Sequence, residues 1–375
     1  MTERKRSSSV HQPHQGTDSS SIEVSLFPDN LFFHTRFRRP SFTLKHVLFF
    51  LYFPFGLVLA TIRLFFLLLS TFVLFDLSKF LNCQEAFFKL WCMCLGLFVS
   101  MKNRELLSDR DYKIIVSNHV CEADALALAK SVGQLSMIVP RFYSKFFISR
   151  KAVTAFMHPI YIQPKSSRHV LHEAVQQHLD SNSAYPLALF PEGCLTHGKV
   201  GLVEFNKYMF SLGVPIKPIA LKFSHAFDSV VNLDHLTAPV ANNAFFFLML
   251  PWMHWNLEVL PTESILPSED GMMFAKRVQI LIADKLGLVP SDFHVKQKYA
   301  MVLKSIKLRE MSFLDAPLQK TRREKFGFKF AWFYNFTAKI TYTELAMGDT
   351  PVVVRNKRQI IRQILPLRHR KPKSL

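Results

Sequence analysis

Residues 112–132 read YKIIVSNHVCEADALALAKSV, and this stretch decides the fold class. Its first five residues form a β-prone, mainly apolar run that predicts a buried strand, whereas Asp124–Val132 predicts a helix. The alternation continues along the chain, with strands predicted at 160–163, 186–190 and 216–223 and helices at 168–179 and 271–286. Strands that alternate with helices predict an α/β domain, which we place at residues 111–290.

Composition excludes several classes of protein. Of the 375 residues 49% are hydrophobic, so the chain as a whole is not intrinsically disordered, and five cysteines are too few for a disulfide-rich secreted fold. The formal net charge is +19, and the basic extension 291–375 carries most of it: residues 296–375 hold 19 Lys or Arg against 5 Asp or Glu. This basic excess comes without a zinc-ligand spacing, an RNA-binding strand signature or a basic heptad region, so we expect no nucleic-acid partner and no metal site.

An apolar segment near the N-terminus predicts a membrane anchor. Residues 1–45 are polar and basic, without the apolar core of a signal peptide, and we expect this arm to be disordered. Residues 46–76 are almost wholly apolar, although Arg63 lies among them. Pro54 and Gly56 interrupt the segment and favour a reversal, so we predict a membrane-embedded helical hairpin that enters one leaflet and returns. A single crossing is the alternative, and residues 77–110 are predicted to form an amphipathic, membrane-proximal segment.

The loop after the first predicted strand carries a histidine and an aspartate at a spacing that would let the two side chains meet. His119 follows the strand, and Asp124 stands five residues later in the first turn of the helix. A carboxylate so placed can hold one ring nitrogen while the other faces a cleft, and this arrangement makes a general base. Taken alone the spacing is weak evidence, because an ordinary loop histidine would show it by chance.

A second strand ends in a motif of the same kind. Residues 187–193 read LALFPEG, in which Pro191 stops the strand, Gly193 allows close approach of the backbone, and Glu192 extends from the strand end. Ligands of open α/β sheets bind beyond the carboxyl ends of the strands. We therefore expect Glu192 at the same edge of the sheet as His119.

Together these motifs resemble the PlsC-like glycerolipid acyltransferase superfamily over about residues 110–290. The block 214–219, VPIKPI, is a third match in the same order. The resemblance implies that His119 deprotonates a glycerol hydroxyl, that Asp124 orients the imidazole, and that the hydroxyl attacks the thioester of acyl-CoA, a co-substrate, with no cofactor. It further implies that the acceptor is held by Phe190, Pro191, Glu192, Gly193 and Thr196.

Two departures from the superfamily pattern indicate a subfamily. The segment 155–165 lacks the arginine-bearing block usual between the two motifs, and Cys194 follows the glycine where many members carry threonine. From the apolar run that Pro54 and Gly56 interrupt to the helix 274–283, and including Phe205 and Phe210, the chain is similar to the ancient ubiquitous protein family. That resemblance implies a protein of the endoplasmic reticulum membrane and lipid droplets, with its domain and termini in the cytosol, although 291–375 contains no recognisable CUE domain.

Two functions stay open at this point. The first is a 1-acylglycerolipid O-acyltransferase with a role in lipid droplet formation, whose partners are membrane lipids, acyl-CoA and a lysoglycerolipid. The second, also implied by the resemblance, is a non-catalytic adaptor that recruits a ubiquitin-conjugating enzyme or another part of the endoplasmic reticulum degradation complex.

Overall fold

The structure of the chain is a computed structural model. It describes residues 28–38, 43–108, 111–140, 147–162, 168–181, 185–236 and 240–314. The predictions for most of the N-terminal arm and for residues 315–375 lie outside these ranges.

A seven-stranded mixed sheet forms the centre of the domain. Its strands are β1 (Leu97–Lys102), β2 (Ile114–Ser117), β3 (Ser136–Pro140), β4 (His158–Ile162), β5 (Leu187–Leu189), β7 (Ile216–His225) and β8 (Met253–Val259), and a separate small pair joins β6 (Gly201–Leu202) to β9 (Val289–Pro290). The strand order in the large sheet is β1-β8-β7-β2-β5-β3-β4, in which β7 and β8 run antiparallel and the other neighbours are parallel. The predicted α/β class is confirmed.

Helices cover both faces of the sheet. They are α1 (Leu44–Leu69), α2 (Phe75–Phe80), α3 (Gln84–Cys94), α4 (Asp124–Val132), α5 (Phe147–Phe156), α6 (Arg168–Asp180), α7 (Val240–Met249), α8 (Gly271–Leu286) and α9 (Val295–Leu314). In β2 the side chain of Ile115 joins one apolar cluster, while those of Ile114 and Val116 join the other. All three are fully buried. A strand buried on both sides is apolar throughout, which is why the sequence predicted it.

Strands β2 and β5 bring the two sequence motifs together. They are adjacent and parallel, with Val116 paired to Leu189. Parallel neighbours end at the same edge of a sheet, so the loop that begins at Asn118 and the loop that begins at Phe190 emerge side by side.

The N-terminal apolar segment is one long helix rather than two arms joined at Pro54. Residues 44–80 are helical throughout, with a π-helical turn at Ser70–Leu74, and by length and composition this is the one helix among the described residues able to span a membrane. The predicted reversal at Pro54 is therefore wrong. Packing explains it, because Tyr52 Oη donates to Met249 O at 2.7 Å and a Cβ on Gly56 would lie 2.6 Å from Met249 Cγ. The helix is thus held against α7 on both sides of the proline.

The chain reverses later, between α2 and α3. Asn82 has a positive φ of 50°, and the Phe75 ring on one side of the turn lies 5.7 Å from that of Phe87 on the other. After α3 the chain enters β1, which pairs with β8. Part of the segment 77–110, predicted to be membrane-proximal, therefore belongs to the sheet.

Candidate active site

His119 and Asp124 form a hydrogen-bonded pair at the carboxyl end of β2. His119 Nδ1 lies 3.0 Å from Asp124 Oδ2, and the aspartate is fully buried whereas the histidine side chain is 21% exposed. A carboxylate only accepts hydrogen bonds, so Nδ1 carries the proton and Nε2 is the basic nitrogen. The pair thus has the geometry of a general base and its orienting carboxylate.

Asp124 is fixed by three further donors. Oδ2 also accepts from the backbone amides of Val120 at 2.7 Å and Cys121 at 2.9 Å. Oδ1 accepts from the indole Nε1 of Trp255, in β8, at 2.7 Å. Sequence reasoning missed this role of Trp255, since nothing in the local sequence links it to a residue so far upstream.

Glu192 lies beneath the His119 loop and faces inward. It is 1% exposed, with Oε1 accepting from the His119 amide at 2.8 Å and Oε2 from the Val203 amide at 2.9 Å. Burial raises the pKa of this carboxyl to about 8, against the opposing effect of the two backbone donors and of Lys298. Glu192 therefore stands at the edge of the sheet where it was expected, but its bonds position the histidine rather than leave the carboxylate open to solvent.

Phe190 and Asn118 complete the support of the histidine. The Phe190 ring stacks on the imidazole, with centroids 4.0 Å apart and planes 7° apart. Asn118 is fully buried and exchanges two hydrogen bonds of 2.8 Å with the backbone of Leu221 in β7, one donated and one accepted. Asn118 was not among the predicted site residues, although an amide side chain placed directly after a buried strand is a recognisable sign of such a lock.

The remaining predicted residues lie in the loop after β5. Gly193 has a φ of +64°, which favours glycine, and the carbonyl of Pro191 accepts from the Asn206 amide at 2.9 Å. The Thr196 amide donates to His119 O at 2.9 Å. Its buried hydroxyl has no hydrogen-bond partner among the described residues and lines a small cavity of about 30 Å³.

An apolar pocket of about 240 Å³ begins at the loop between His119 and Asp124. It reaches the N-terminal helices, and apart from six polar or small residues its walls are aliphatic and aromatic side chains: Leu67, Trp91, Leu95, Val120, Leu126, Leu233, Phe247 and Leu248. Glu122 and Asp234 line the same pocket. Burial and the nearby Asp234 raise the pKa of Glu122 to about 7.

Comparison with known proteins agrees with this geometry. Residues 98–222 match the family model described as Acyltransferase, which includes both motifs. The domain belongs to the PlsC-like glycerolipid acyltransferase superfamily. The membership predicted from the motifs is thereby confirmed at the level of the superfamily.

Relatives within the superfamily carry two kinds of name. The "Lipid droplet-regulating VLDL assembly factor AUP1" of Xenopus laevis is 30% identical over 262 residues, or 68% of this chain and 60% of that protein. Its homologue in Caenorhabditis elegans is 23% identical, over 69% of this chain and 63% of that one. The "Glycerol-3-phosphate acyltransferase 3" of Xenopus laevis is 27% identical, over 47% and 39% respectively. The chain thus spans less than two thirds of the length of these relatives.

Among solved structures, a likeness with a TM-score of 0.43 and 17% identity is found to the 1-acyl-sn-glycerophosphate acyltransferase PlsC of Thermotoga maritima. It covers 63% of this chain and 97% of that one.

Proposed function

We propose that this protein transfers an acyl chain from acyl-CoA to the free hydroxyl of a lysoglycerolipid, and that it does so on the endoplasmic reticulum membrane and on lipid droplets. The observation that carries the proposal is the His119–Asp124 pair, because the loop between these two residues lines an apolar pocket. A pocket of this lining suits a hydrocarbon chain, because burying each methylene contributes about 0.8 kcal/mol. A base beside such a pocket suits acyl transfer better than it suits chemistry on a polar substrate.

His119 and Asp124 carry the proton transfers of the proposed reaction. His119 Nε2 takes the proton of the acceptor hydroxyl as its oxygen attacks the thioester carbonyl carbon, and Asp124 stabilises the imidazolium that forms. The tetrahedral intermediate then collapses, the carbon–sulfur bond breaks, and the imidazolium returns its proton to the CoA thiolate. General base catalysis of this kind typically contributes about 10²–10⁴-fold.

The docking of the apolar helix supports a monotopic placement in the membrane. Arg63, near the middle of the helix, is 5% exposed and donates to the carbonyls of Cys94, Leu248, Leu250 and Pro251. These carbonyls lie at the C-terminal ends of α3 and α7, where unpaired oxygens and the helix dipole favour a cation.

Because Arg63 joins the middle of the apolar helix to the domain, the two must lie at the same depth in the membrane. An upright crossing with the domain outside the hydrocarbon region would break these bonds and expose an arginine to lipid. The opposite face of the helix exposes large apolar side chains such as Phe55, at 72%, and Phe65, at 68%. We propose that this face lies in one leaflet, which leaves both termini in the cytosol and suits the single monolayer of a droplet.

The enzymatic proposal is tested by acyl transfer from labelled acyl-CoA to a panel of lysolipids and glycerol 3-phosphate, with detergent-purified protein. His119→Ala is expected to lower turnover at least about 100-fold. His169→Ala is the matched control, because the His169 side chain in α6 is 76% exposed and lies outside the candidate site. Folded wild-type protein that transfers no acyl chain to any acceptor would refute the proposal.

A second candidate function is the adaptor, favoured by the names of the first relatives, which describe a lipid-droplet-regulating factor rather than an acyltransferase. On this proposal the domain binds lipid and the protein recruits a ubiquitin-conjugating enzyme. His119→Ala decides between the two in cells: the number of droplets should change if the protein acts as an enzyme and stay at the wild-type level if it acts as an adaptor.

The proposed orientation has its own test. Epitope tags at both ends should be accessible to antibodies after the plasma membrane alone has been permeabilised. Protection of either tag would contradict the monotopic placement, whichever biochemical function is correct.

A further inference from the structure

Helix α9 contacts the candidate site from outside the matched acyltransferase range. Lys298 Nζ donates to the carbonyl of Leu195 at 2.5 Å, and Tyr299 Oη donates to the carbonyl of Gly193 at 3.3 Å. Both acceptors belong to the loop 193–196 that follows Glu192. The helix thus holds this loop at two points.

The same loop holds the backbone of His119 on both sides. The His119 amide donates to Glu192 Oε1, and the His119 carbonyl accepts from the Thr196 amide. A displacement of residues 192–196 would therefore move the histidine.

Lys298 also brings a positive charge into a buried acidic environment. It is 3% exposed, and its ammonium lies 4.7 Å from the centroid of the Phe32 ring. Its charge lowers the pKa values of Glu192, Glu122 and Cys194, each of which burial raises. Asp234, in the segment before α7, lines a cavity together with Lys298. The charge of the lysine also acts on Glu192, in the loop after β5, and on Glu122, in the His119 loop. Burying a lysine is costly unless such partners compensate it.

We propose that Lys298 is a positioning residue of the acyl-transfer site, which fixes the loop 193–196 and through its charge favours the ionised form of Glu192, whose Oε1 accepts from the His119 amide. This inference rests on the proposed acyl transfer. It also implies that α9 belongs to the site, and not to a separate C-terminal extension.

The test compares Lys298→Met, which keeps the length and apolar stem, with Lys298→Arg, which keeps the charge. Lys296→Met is the matched control, since Lys296 is exposed on the same helix. In Lys298→Met, Glu192 loses a nearby positive charge. We therefore expect the acid limb of the pH profile of kcat/KM to move to higher pH by about one unit, and the activity at pH 7 to fall about tenfold. Lys298→Arg should restore the wild-type profile. An unchanged profile in the Met variant would overturn the proposal.

A second readout does not depend on catalysis. Carbethoxylation of His119 by diethyl pyrocarbonate, followed by peptide mass spectrometry, should be several-fold faster in Lys298→Met, with His169 as the internal reference. If the wild type transfers no acyl chain but His119 becomes more reactive in this variant, the positioning role stands and the proposed function fails. Equal reactivity in both proteins would count against the positioning role.

Coupling to Glu192 is tested with the double variant. Because Lys298 acts through Glu192, Glu192→Gln and Lys298→Met should have less than additive effects on kcat/KM. Should Lys298→Met fail to fold, Lys298→Gln takes its place, because its amide group carries no charge but can still donate to the Leu195 carbonyl. Strictly additive effects would overturn the proposal.

Discussion

Asp124→Asn is the perturbation whose consequences the structure defines best. The substitution keeps the shape of the side chain but leaves one acceptor oxygen where there were two. Asp124 Oδ2 accepts from His119 Nδ1, from the Val120 amide and from the Cys121 amide, whereas Oδ1 accepts only from Trp255 Nε1. The asparagine oxygen should therefore take the position with three donors. Its amide group would then face the indole N–H.

The cost follows from this donor-to-donor contact. Trp255 and Asp124 are both fully buried, so neither N–H group reaches water. An unsatisfied buried donor costs about 1–3 kcal/mol, and weaker bonds to a neutral acceptor add to this, so we expect the free energy of unfolding to fall by about 3 kcal/mol. Acyl transfer should fall about 10²–10⁴-fold, because the imidazolium loses its carboxylate.

Trp255→Phe makes this prediction specific. Phenylalanine carries no N–H group, so in this background Asp124→Asn should cost about 1–2 kcal/mol less than in the wild type. Equilibrium unfolding of the four proteins, followed by circular dichroism in one detergent, measures the coupling. Acyl transfer should stay low in the double variant, because removing the indole restores no charge. Equal stability losses in the two backgrounds would refute the assigned contact between the tryptophan and the aspartate.

Three further predictions concern the anchor, a glycine and a buried histidine. Arg63→Met should lower the free energy of unfolding by about 2–4 kcal/mol, because it strands buried carbonyls at the ends of α3 and α7. Flotation with liposomes should be unchanged, since the exposed apolar face is intact. Gly198→Ala should lower the free energy of unfolding, measured by thermal unfolding, by about 1–3 kcal/mol, because φ is +62° and the new Cβ would lie 2.5 Å from Val120 Cγ1. Adding Val120→Ala to this variant should remove the steric clash but not the backbone strain. Burial lowers the pKa of His225 to about 4, so the unfolded chain binds an extra proton between pH 6.5 and about 4, and stability is lost as the pH falls through that window. Between pH 7 and pH 5 the wild type should lose about 2 kcal/mol more than His225→Gln, and His169→Gln should behave as the wild type does.

The parts of the fold that could be predicted are those specified by local sequence. Helix α4 spans Asp124–Val132 and helix α8 ends before Gly287, as predicted, and this glycine adopts a φ of +66° that ends a helix. The course of the chain at Pro54 could not be predicted in the same way. One proline removes one hydrogen bond, and whether a helix continues through it depends on contacts such as the one between Gly56 and Met249, which are distant in sequence.

The candidate site, too, could be predicted only in part from the sequence. His119 and Asp124 could be paired once the second motif was considered with them, since their spacing alone is weak evidence. The direction of the Glu192 carboxylate could not be predicted, since it depends on the backbone amide of Val203, which β6 and its partner strand bring near. A glutamate at a strand end is equally compatible with contact to a substrate and with support of a neighbouring loop.

The hydrogen bonds that fix the His119–Asp124 pair extend well beyond the part of the chain that matches the acyltransferase family. That match ends at residue 222, yet the donor to Asp124 Oδ1 stands at Trp255 and the donor to the Leu195 carbonyl at Lys298. A fragment that ends at residue 222 would keep His119, Asp124 and Glu192 but would lack these two donors, and β7 would lose its antiparallel neighbour β8. Buried backbone and carboxylate groups that lack hydrogen-bond partners destabilise the folded site, and the residues of the two motifs alone do not compensate for this loss. The smallest unit that can hold the pair in its observed geometry therefore runs from β1 to at least the first turns of α9.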